Sequence, residues 1–156
     1  MDSRIQKFHD VLSPFPYSIG SEIKSPKSGT TYEQRILRKD NEGNLVESPP
    51  ATELSDGQIA IQGLATLFAA SVEYRWCNWS TLILDDPLQS SDLIHASAFI
   101  DIIRGLVREM GYQIFISSHD IDEADFIARK CERSGIRVAR CHLEGPGVDG
   151  VRYRTS

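Results

Sequence analysis

One apolar run in this chain ends in two carboxylates: Thr-Leu-Ile-Leu-Asp-Asp-Pro at residues 81–87. A second run, Ile-Phe-Ile-Ser-Ser-His at residues 114–119, ends in a histidine. Short apolar runs bounded by polar or turn residues predict buried strands. In open α/β sheets, ligands bind beyond the carboxyl ends of the strands. We therefore expect Asp85, Asp86 and His119 to meet at one edge of a sheet, where paired carboxylates can reach a metal–phosphate complex.

The residues around these two strands predict an α/β fold. Strands that alternate with helices favour a mostly parallel sheet covered by helices, here with a β-rich segment near the N-terminus. Predicted helices cover residues 3–12, 59–72, 94–110 and 120–133. Predicted strands cover residues 31–38, 44–47, 82–84, 113–117, 136–143 and 151–154. Turns or loops are predicted at residues 25–29, 41–44, 48–52 and 145–147.

Composition narrows the class of protein. The 156 residues carry a net charge of −5 without a dense Lys/Arg run, which gives no support to a chain that coats nucleic acid by itself. The longest apolar stretches fall far short of the ~20 residues that span a bilayer, so no membrane partner is expected. Three widely spaced cysteines, Cys77, Cys131 and Cys141, fit neither a disulfide framework nor a zinc site. Free thiols favour a reducing compartment, and we expect a cytoplasmic protein.

A third motif, Leu-Ser-Asp-Gly-Gln at residues 54–58, precedes a helical pattern. Ser55 stands at the N-cap position, and backbone N–H groups at a helix start can bind an anion. Each motif alone also has a purely structural explanation. The Asp-Asp-Pro sequence can simply end a strand, a lone histidine can cap or pack, and Ser-x-Gly before a helix is common.

The order of the motifs resembles the C-terminal lobe of an ATP-binding-cassette (ABC) ATPase, a P-loop NTPase-like fold. Residues 54–58 match the signature motif, 82–86 the Walker B strand, 89–92 the D-loop and His119 the switch histidine. Asp-Asp-Pro-Leu-Gln-Ser-Ser-Asp, from residue 85, aligns without a gap on the family's D-E-P-T-S-A-L-D pattern. The resemblance covers roughly residues 50–145. The G-x-x-x-x-G-K-[ST] phosphate loop (Walker A) does not occur in this chain.

Within this family, the chain most resembles the SMC-like ATPases of DNA repair and chromosome maintenance. The 26 residues between Gln58 and Asp85 exceed the gap usual in transporter cassettes. The helix after the signature also lacks the transporters' Q-R-V-x-I-A-R-A pattern. In this group a coiled coil separates two lobes of one head. Residues 1–14 would then be the foot of that coiled coil, and residues 15–156 the C-terminal lobe.

The resemblance implies ATP and Mg²⁺ as cofactors, with roles carried over residue by residue. Asp85 would hold Mg²⁺, mainly through water, Asp86 would polarise the attacking water, and His119 would contact the γ-phosphate. The remaining residues would act across the interface between two heads. The signature residues Ser55, Gly57 and Gln58 would bind ATP held by the second head. Asp92 of the D-loop would couple the two sites.

The function implied is MgATP hydrolysis at a head–head interface, in DNA repair, chromosome maintenance or defence against foreign DNA. The partners implied are an N-terminal Walker A lobe, in the same or a separate polypeptide, and a second head, with DNA added by analogy only. The isolated chain is expected to be inactive. Two residues depart from the pattern: Asp86 replaces the common Glu, and Asp56 replaces a glycine. Two alternatives remain, a non-catalytic interaction module with the same fold and a fragment of a transporter ATPase.

Overall fold

The computed structural model describes residues 2–13, 17–24, 29, 31–74, 78–89, 93–148 and 150–155. The helices within these residues are α1 (Asp2–Leu12), α2 (Pro50–Glu53), α3 (Asp56–Glu73), α4 (Leu93–Met110) and α5 (Ile121–Arg133). The strands are β1 (Ser18–Lys24), β2 (Thr31–Lys39), β3 (Leu45–Ser48), β4 (Thr81–Asp85), β5 (Gln113–Ser117), β6 (Cys141–Gly147) and β7 (Gly150–Thr155). They form an antiparallel sheet β1–β2–β3, a parallel pair β4–β5 and an antiparallel pair β6–β7. The α/β prediction is confirmed.

The core lies where helices α1, α3 and α4 meet. Phe68 of α3 is fully buried, and its ring lies 5.9 Å from Phe8 of α1 and 6.1 Å from Phe99 of α4, measured between centroids. Ile5 and Leu12 of α1 join the same cluster. Burial of these apolar side chains stabilises the fold more than helix propensity does, because short helices are marginal in water.

The antiparallel sheet packs its inner face on this core and leaves its outer face in water. Ile19 pairs with Ile36, which pairs in turn with Ser48, and all three are buried. The predicted turn at residues 41–44 is confirmed. Asp40 fixes it, since its Oδ1 accepts hydrogen bonds from the backbone N–H of Glu42 (2.9 Å) and Asn44 (2.8 Å). Residues 25–28 of the other predicted turn lie outside the described residues.

The parallel pair β4–β5 has strictly alternating burial. Leu82 and Leu84 are buried, and Ile114 and Ile116 pack partly buried against the same core. Residues of the opposite parity face away from it, so the side chains of Ile83 and Phe115 are 78% and 52% exposed. They are partners in the parallel register. Within the described part of the chain, this sheet therefore has one covered face and one exposed face.

Two sequence predictions are corrected near the ends of elements. The predicted loop at residues 48–52 instead contains helix α2, which starts at Pro50, because proline is well suited to a first helical position. The predicted strand at 136–143 is wrong for residues 136–140, which form no strand; β6 begins at Cys141. Here Ile136 and Val138 pack against the core, and the Arg140 guanidinium bonds Asp125 and Glu132 of α5.

The predicted turn at residues 145–147 is also wrong, because these residues belong to β6. The register with β7 shifts between Leu143 and Gly145, and the positive φ of Gly145 (+104°) accommodates this irregularity. The chain reverses after Gly147 and returns as β7 from Gly150. None of the helices in the described part of the chain is long and apolar enough to cross a membrane.

Candidate functional site

The site forms where β4 and β5 end side by side. Asp85 closes β4, and its register partner Ser117 closes β5. The Ser117 hydroxyl donates a hydrogen bond to Asp85 Oδ1. The backbone N–H of Asp86 donates both to the Ser117 carbonyl (3.1 Å) and to its hydroxyl oxygen (3.2 Å). The parallel register thus holds both aspartates at one rim, as the two apolar runs predict.

Asp86 has a left-handed backbone, with φ of +48°. Asp tolerates this conformation better than most residues. Its Oδ2 lies 2.6 Å from Nδ1 of His119, so the first residue beyond β4 contacts the second beyond β5. Its Oδ1 is buried, and no protein group among the described residues hydrogen-bonds to it. The His119 side chain is 69% exposed. With Nδ1–H donating to the carboxylate, Nε2 remains available to a ligand.

The turn that carries His119 is fixed by its neighbours. Asp120 caps α5, since its Oδ1 accepts from the backbone N–H of Asp122 (2.8 Å) and Glu123 (3.1 Å). The Ser118 hydroxyl donates to Glu123 Oε2 (2.9 Å) and accepts from the Asp120 N–H (3.1 Å). These bonds tie the histidine's backbone to the start of a helix, so its ring is held near Asp86 by local structure on both sides.

Sequence reasoning missed Ser117, which joins the two aspartates. Its signal was present: a small polar residue ends the second apolar run, level with Asp85 once the two strands are paired in parallel. Asp120 was predicted only as the first residue of the helix at 120–133, and its capping role follows from the N-cap preference for Asp.

The rim has the chemistry to hold Mg²⁺ through oxygen. Mg²⁺ takes one or two carboxylates and completes its shell with water and substrate phosphates. Asp85 and Asp86 provide two adjacent carboxylates, and Oδ1 of Asp86 is a buried oxygen without a protein donor in the described part of the chain. No cluster of three or more candidate metal-ligating side chains occurs in that part of the chain. The protein's share would therefore be these carboxylates, with the other ligands coming from water and phosphate.

The signature residues form a second group at the start of α3. Ser55 is the N-cap, as the sequence predicts: its hydroxyl accepts from the Gln58 N–H (3.4 Å), and Gln58 Oε1 accepts from the Ser55 N–H (2.9 Å). This is a capping box. Gly57 follows on the first turn, and Asp56 is exposed beside it. Asp92 lies outside the described residues.

Comparison with known proteins gives a sequence match to transporter ATPases. No protein-family model matches the chain. The taurine import ATP-binding protein TauB of Shigella flexneri serotype 5b (strain 8401) is 34% identical over 111 residues, covering 64% of this chain and 41% of that protein. The chain spans about two fifths of the length of the curated relatives it matches.

Comparison with solved structures shows that the fold of this chain is similar to that of SMC ATPase heads. A structure from work on ATP-driven dimerisation and DNA-stimulated activation of SMC ATPases has a TM-score of 0.63 and 16% identity, covering 99% of this chain and 82% of that chain. The chain matches a fragment of an ABC-type ATPase head. An Smc head domain with an extended coiled coil from Pyrococcus furiosus gives a TM-score of 0.61 and 16% identity, covering 99% of this chain and 34% of that chain. The P-loop NTPase-like fold predicted for this ABC-type head fragment is confirmed, whereas the roles of its individual residues remain predictions.

Proposed function

We propose that this chain is the C-terminal half of an SMC-like head that hydrolyses MgATP once a Walker A lobe and a second head complete the site. The observation that carries the proposal is the contact between Asp86 Oδ2 and His119 Nδ1 at the rim, next to Asp85. A carboxylate that served only to end strand β4 would not require a histidine beyond the neighbouring strand. An ATPase needs a water-orienting group and a phosphate-contacting group beside a metal ligand.

Each residue has a distinct role in this proposal. Asp85 holds Mg²⁺, which supplies electrostatic stabilisation of the phosphates when bound. Asp86 orients and polarises the attacking water; its Oδ2 keeps a second lone pair after bonding His119. His119 uses Nε2 to donate a hydrogen bond to the γ-phosphate when the ring is protonated.

The second half of the proposed site acts across two heads. Ser55 and Gly57 sit at a helix start, where N–H groups and the helix dipole favour an anion, and Gln58 holds Ser55 in place through the capping box. Asp92 is proposed to couple the two sites. The carboxylate of Asp56 opposes phosphate binding by like charge, so the engagement of two heads should be weaker than with a glycine there.

The proposal is tested by ATPase assays on the chain alone and with its Walker A lobe. We expect turnover only in the completed head, and near-complete loss of turnover in Asp86→Asn, with ATP retained and head dimers accumulating on a sizing column. The matched control is Asp101→Asn, an exposed carboxylate of α4, which should leave turnover unchanged. Strong turnover by the lone chain, or full turnover in Asp86→Asn, would contradict the proposal.

The head–head part of the proposal has its own test. Ser55→Arg should block dimers of completed heads while nucleotide binding by each head persists, because the arginine enlarges and charges the proposed contact. Nucleotide binding without any hydrolysis in the wild-type completed head would instead favour a non-catalytic interaction module.

A transporter ATPase fragment is a second candidate, favoured by the 34% identity to TauB. That match covers 64% of the chain, whereas the SMC heads cover 99% of it, including α1 and the antiparallel sheet. We therefore favour an SMC-like head acting in the cytoplasm on DNA, in repair, chromosome maintenance or defence, with α1 as the foot of a coiled coil. Stimulation of turnover by double-stranded DNA is expected for such a head and is not expected for a transporter subunit.

A further inference from the structure

Ser117 contacts both aspartates of the rim through one hydroxyl group. That hydroxyl donates its proton to Asp85 Oδ1, and its oxygen accepts a hydrogen bond from the backbone N–H of Asp86 at 3.2 Å. A serine hydroxyl has one proton and two lone pairs, so it can donate and accept at the same time. The same atom therefore links the proposed metal ligand to the proposed water-orienting residue.

The first of these bonds sets the orientation of the Asp85 carboxylate. Asp85 closes β4 with an exposed side chain, and an exposed aspartate is otherwise free to exchange between rotamers. A hydrogen bond from a hydroxyl to a carboxylate is charge-assisted, and it is stronger than a bond between neutral groups. Ser117 therefore holds the carboxylate in one orientation before any metal ion binds.

The second bond supports the left-handed backbone of Asp86. A residue other than glycine keeps such a backbone only where its surroundings hold it, and φ of Asp86 is +48°. Its N–H donates to the Ser117 carbonyl oxygen (3.1 Å) as well as to the hydroxyl oxygen. An aspartate has one methylene fewer than a glutamate, so its backbone determines more directly where its carboxylate lies. The contact between Asp86 Oδ2 and His119 Nδ1 thus depends on the backbone that Ser117 holds.

Stability alone does not account for these bonds. The side chains of Ser117 and Asp85 are both exposed, so water could replace the hydroxyl without leaving a buried polar group unpaired. Water would not hold the two carboxylates in a fixed arrangement. What the hydroxyl contributes is therefore mainly orientation.

We propose that Ser117 is a positioning residue of the ATPase, which holds Asp85 in the orientation that binds Mg²⁺ and Asp86 in the orientation that polarises the attacking water. This inference rests on the proposed function, since it concerns the same two carboxylates. Residues that orient metal ligands contribute roughly tenfold to a hundredfold to metal affinity or activity, although they touch neither the metal nor the substrate.

Two variants of equal shape isolate the hydroxyl: Ser117→Thr and Ser117→Val. Threonine and valine both favour strands, and the exposed position leaves room for the added methyl group. Both variants of the lone chain should therefore fold, with closely similar melting temperatures. The matched control is Gln113→Ala, which changes an exposed side chain at the opposite end of the same strand.

The first measurement is the binding of Mn²⁺, a Mg²⁺ substitute that electron paramagnetic resonance detects without turnover. In the completed head with a non-hydrolysable ATP analogue, Ser117→Val should weaken Mn²⁺ binding by roughly tenfold or more. Ser117→Thr keeps the hydroxyl and should bind Mn²⁺ as the wild type does, and so should Gln113→Ala.

The second measurement is kcat at saturating ATP and Mg²⁺. Ser117→Val should lower kcat by roughly tenfold or more even when the metal site is filled, because Asp86 has lost its support as well. Ser117→Thr should restore turnover. The proposal requires both losses in the valine variant and their rescue by threonine. Wild-type values in Ser117→Val, or equal losses in Ser117→Thr and Ser117→Val, would overturn it.

These outcomes separate the positioning role from the proposed ATPase. If Asp86→Asn hydrolyses ATP normally, the function is wrong, whereas weaker Mn²⁺ binding in Ser117→Val would still show that Ser117 orients a metal ligand. If Asp86→Asn abolishes turnover but Ser117→Val behaves as the wild type, the positioning role is wrong and the function stands.

Discussion

The antiparallel sheet β1–β3 and the parallel sheet β4–β5 each bury one face on the same helical core. Only the antiparallel sheet has a second face that is suited to contact with water. The outer face of β1–β3 is largely charged, and the Arg35 guanidinium lies 2.6 Å from the Glu33 carboxylate there. The outer face of β4–β5 instead centres on Ile83 and Phe115. Antiparallel sheets commonly have one solvated face, whereas parallel sheets do not.

The two sheets differ in how much of each the described part of the chain covers. The antiparallel sheet contains the hydrogen-bonded turn at Asp40, and its Gln34 is tied to the buried Gln62 of α3 by a hydrogen bond between the two amides. The parallel sheet carries the proposed catalytic residues at its rim, and its outer face is uncovered. The part with the proposed chemistry is thus also the part that lacks a second layer, as expected if activity requires a second lobe.

The largest expected effect comes from two matched phenylalanines. Phe68→Ala empties a fully buried position between α1 and α4, and should lower the free energy of unfolding of the lone chain by about 3–5 kcal/mol. Phe115→Ala on the exposed face of β4–β5 should cost about 1 kcal/mol or less. Urea denaturation followed by circular dichroism measures both.

The same two substitutions can also be compared in the completed head. If the exposed face of β4–β5 is covered in the completed head, Phe115→Ala should be clearly more destabilising there than in the lone chain, while the cost of Phe68→Ala stays similar. A large cost for Phe115→Ala already in the lone chain would mean that the chain covers this face itself.

A middle-sized effect is expected where β2 meets α3. Gln34 accepts a hydrogen bond from Gln62 Nε2 (2.8 Å) and donates one to the Thr66 hydroxyl oxygen (2.8 Å), and Gln62 is buried. Gln34→Leu should lower the free energy of unfolding by about 1–3 kcal/mol, because the amide of Gln62 loses its acceptor. Chemical denaturation of the variant measures the loss.

The double variant Gln34→Leu/Gln62→Leu serves as the control for this pair. It should cost less than the sum of the two single variants, because no buried amide is left unpaired. Strict additivity would show that the two glutamines stabilise the chain independently and that β2 is not tied to α3 through them.

The sequence predicted the elements around the site better than it predicted residues 136–147. Strand β5 was predicted with its observed bounds, and α4 and α5 within one residue of them, because apolar spacing reports burial directly. Residues 136–140 were predicted as a strand because they are apolar at alternate positions. They pack on the core without a strand partner, and strand pairing is not encoded in one segment alone.

The rim was predictable in its residues but not in its geometry. The carboxyl ends of two apolar runs gave Asp85, Asp86 and His119, and the structure brings them together. The left-handed backbone of Asp86 was not predictable, since glycine or asparagine is the usual signal for it. Ser117 became recognisable only after the parallel register was known.

A smaller effect is expected at the N-cap of α3, which follows the antiparallel sheet and α2. Ser55→Ala removes the side-chain half of the capping box and should cost about 1 kcal/mol, whereas Ser55→Gly should cost only a few tenths. Thermal unfolding of the lone chain, followed by circular dichroism, compares the two. Equal losses for alanine and glycine would mean that the capping bond contributes little to stability and that Ser55 is retained for another reason.

The smallest expected effect is a pH dependence of stability that arises at the junction of α1 and β1, next to the antiparallel sheet. His9 is fully buried, its Nε2 lies 2.9 Å from the Tyr17 hydroxyl, and its ring is the only part of α1 that can gain charge near neutral pH among the described residues. Burial lowers the pKa of His9 below its ordinary value of 6.5, and Asp10, 3.9 Å from Nδ1, offsets part of this shift. The unfolded chain therefore binds more protons at mildly acidic pH, so the contribution of neutral His9 is complete above pH 6.5 and is lost as pH falls from there through the folded pKa.

Urea unfolding between pH 7.5 and 5.5 should show a loss of stability on acidification that is smaller in His9→Gln, with the window kept above the ordinary pKa of carboxylates, about 4. An unchanged pH dependence in His9→Gln would place the titrating group elsewhere, and α1 would then be held by apolar packing alone.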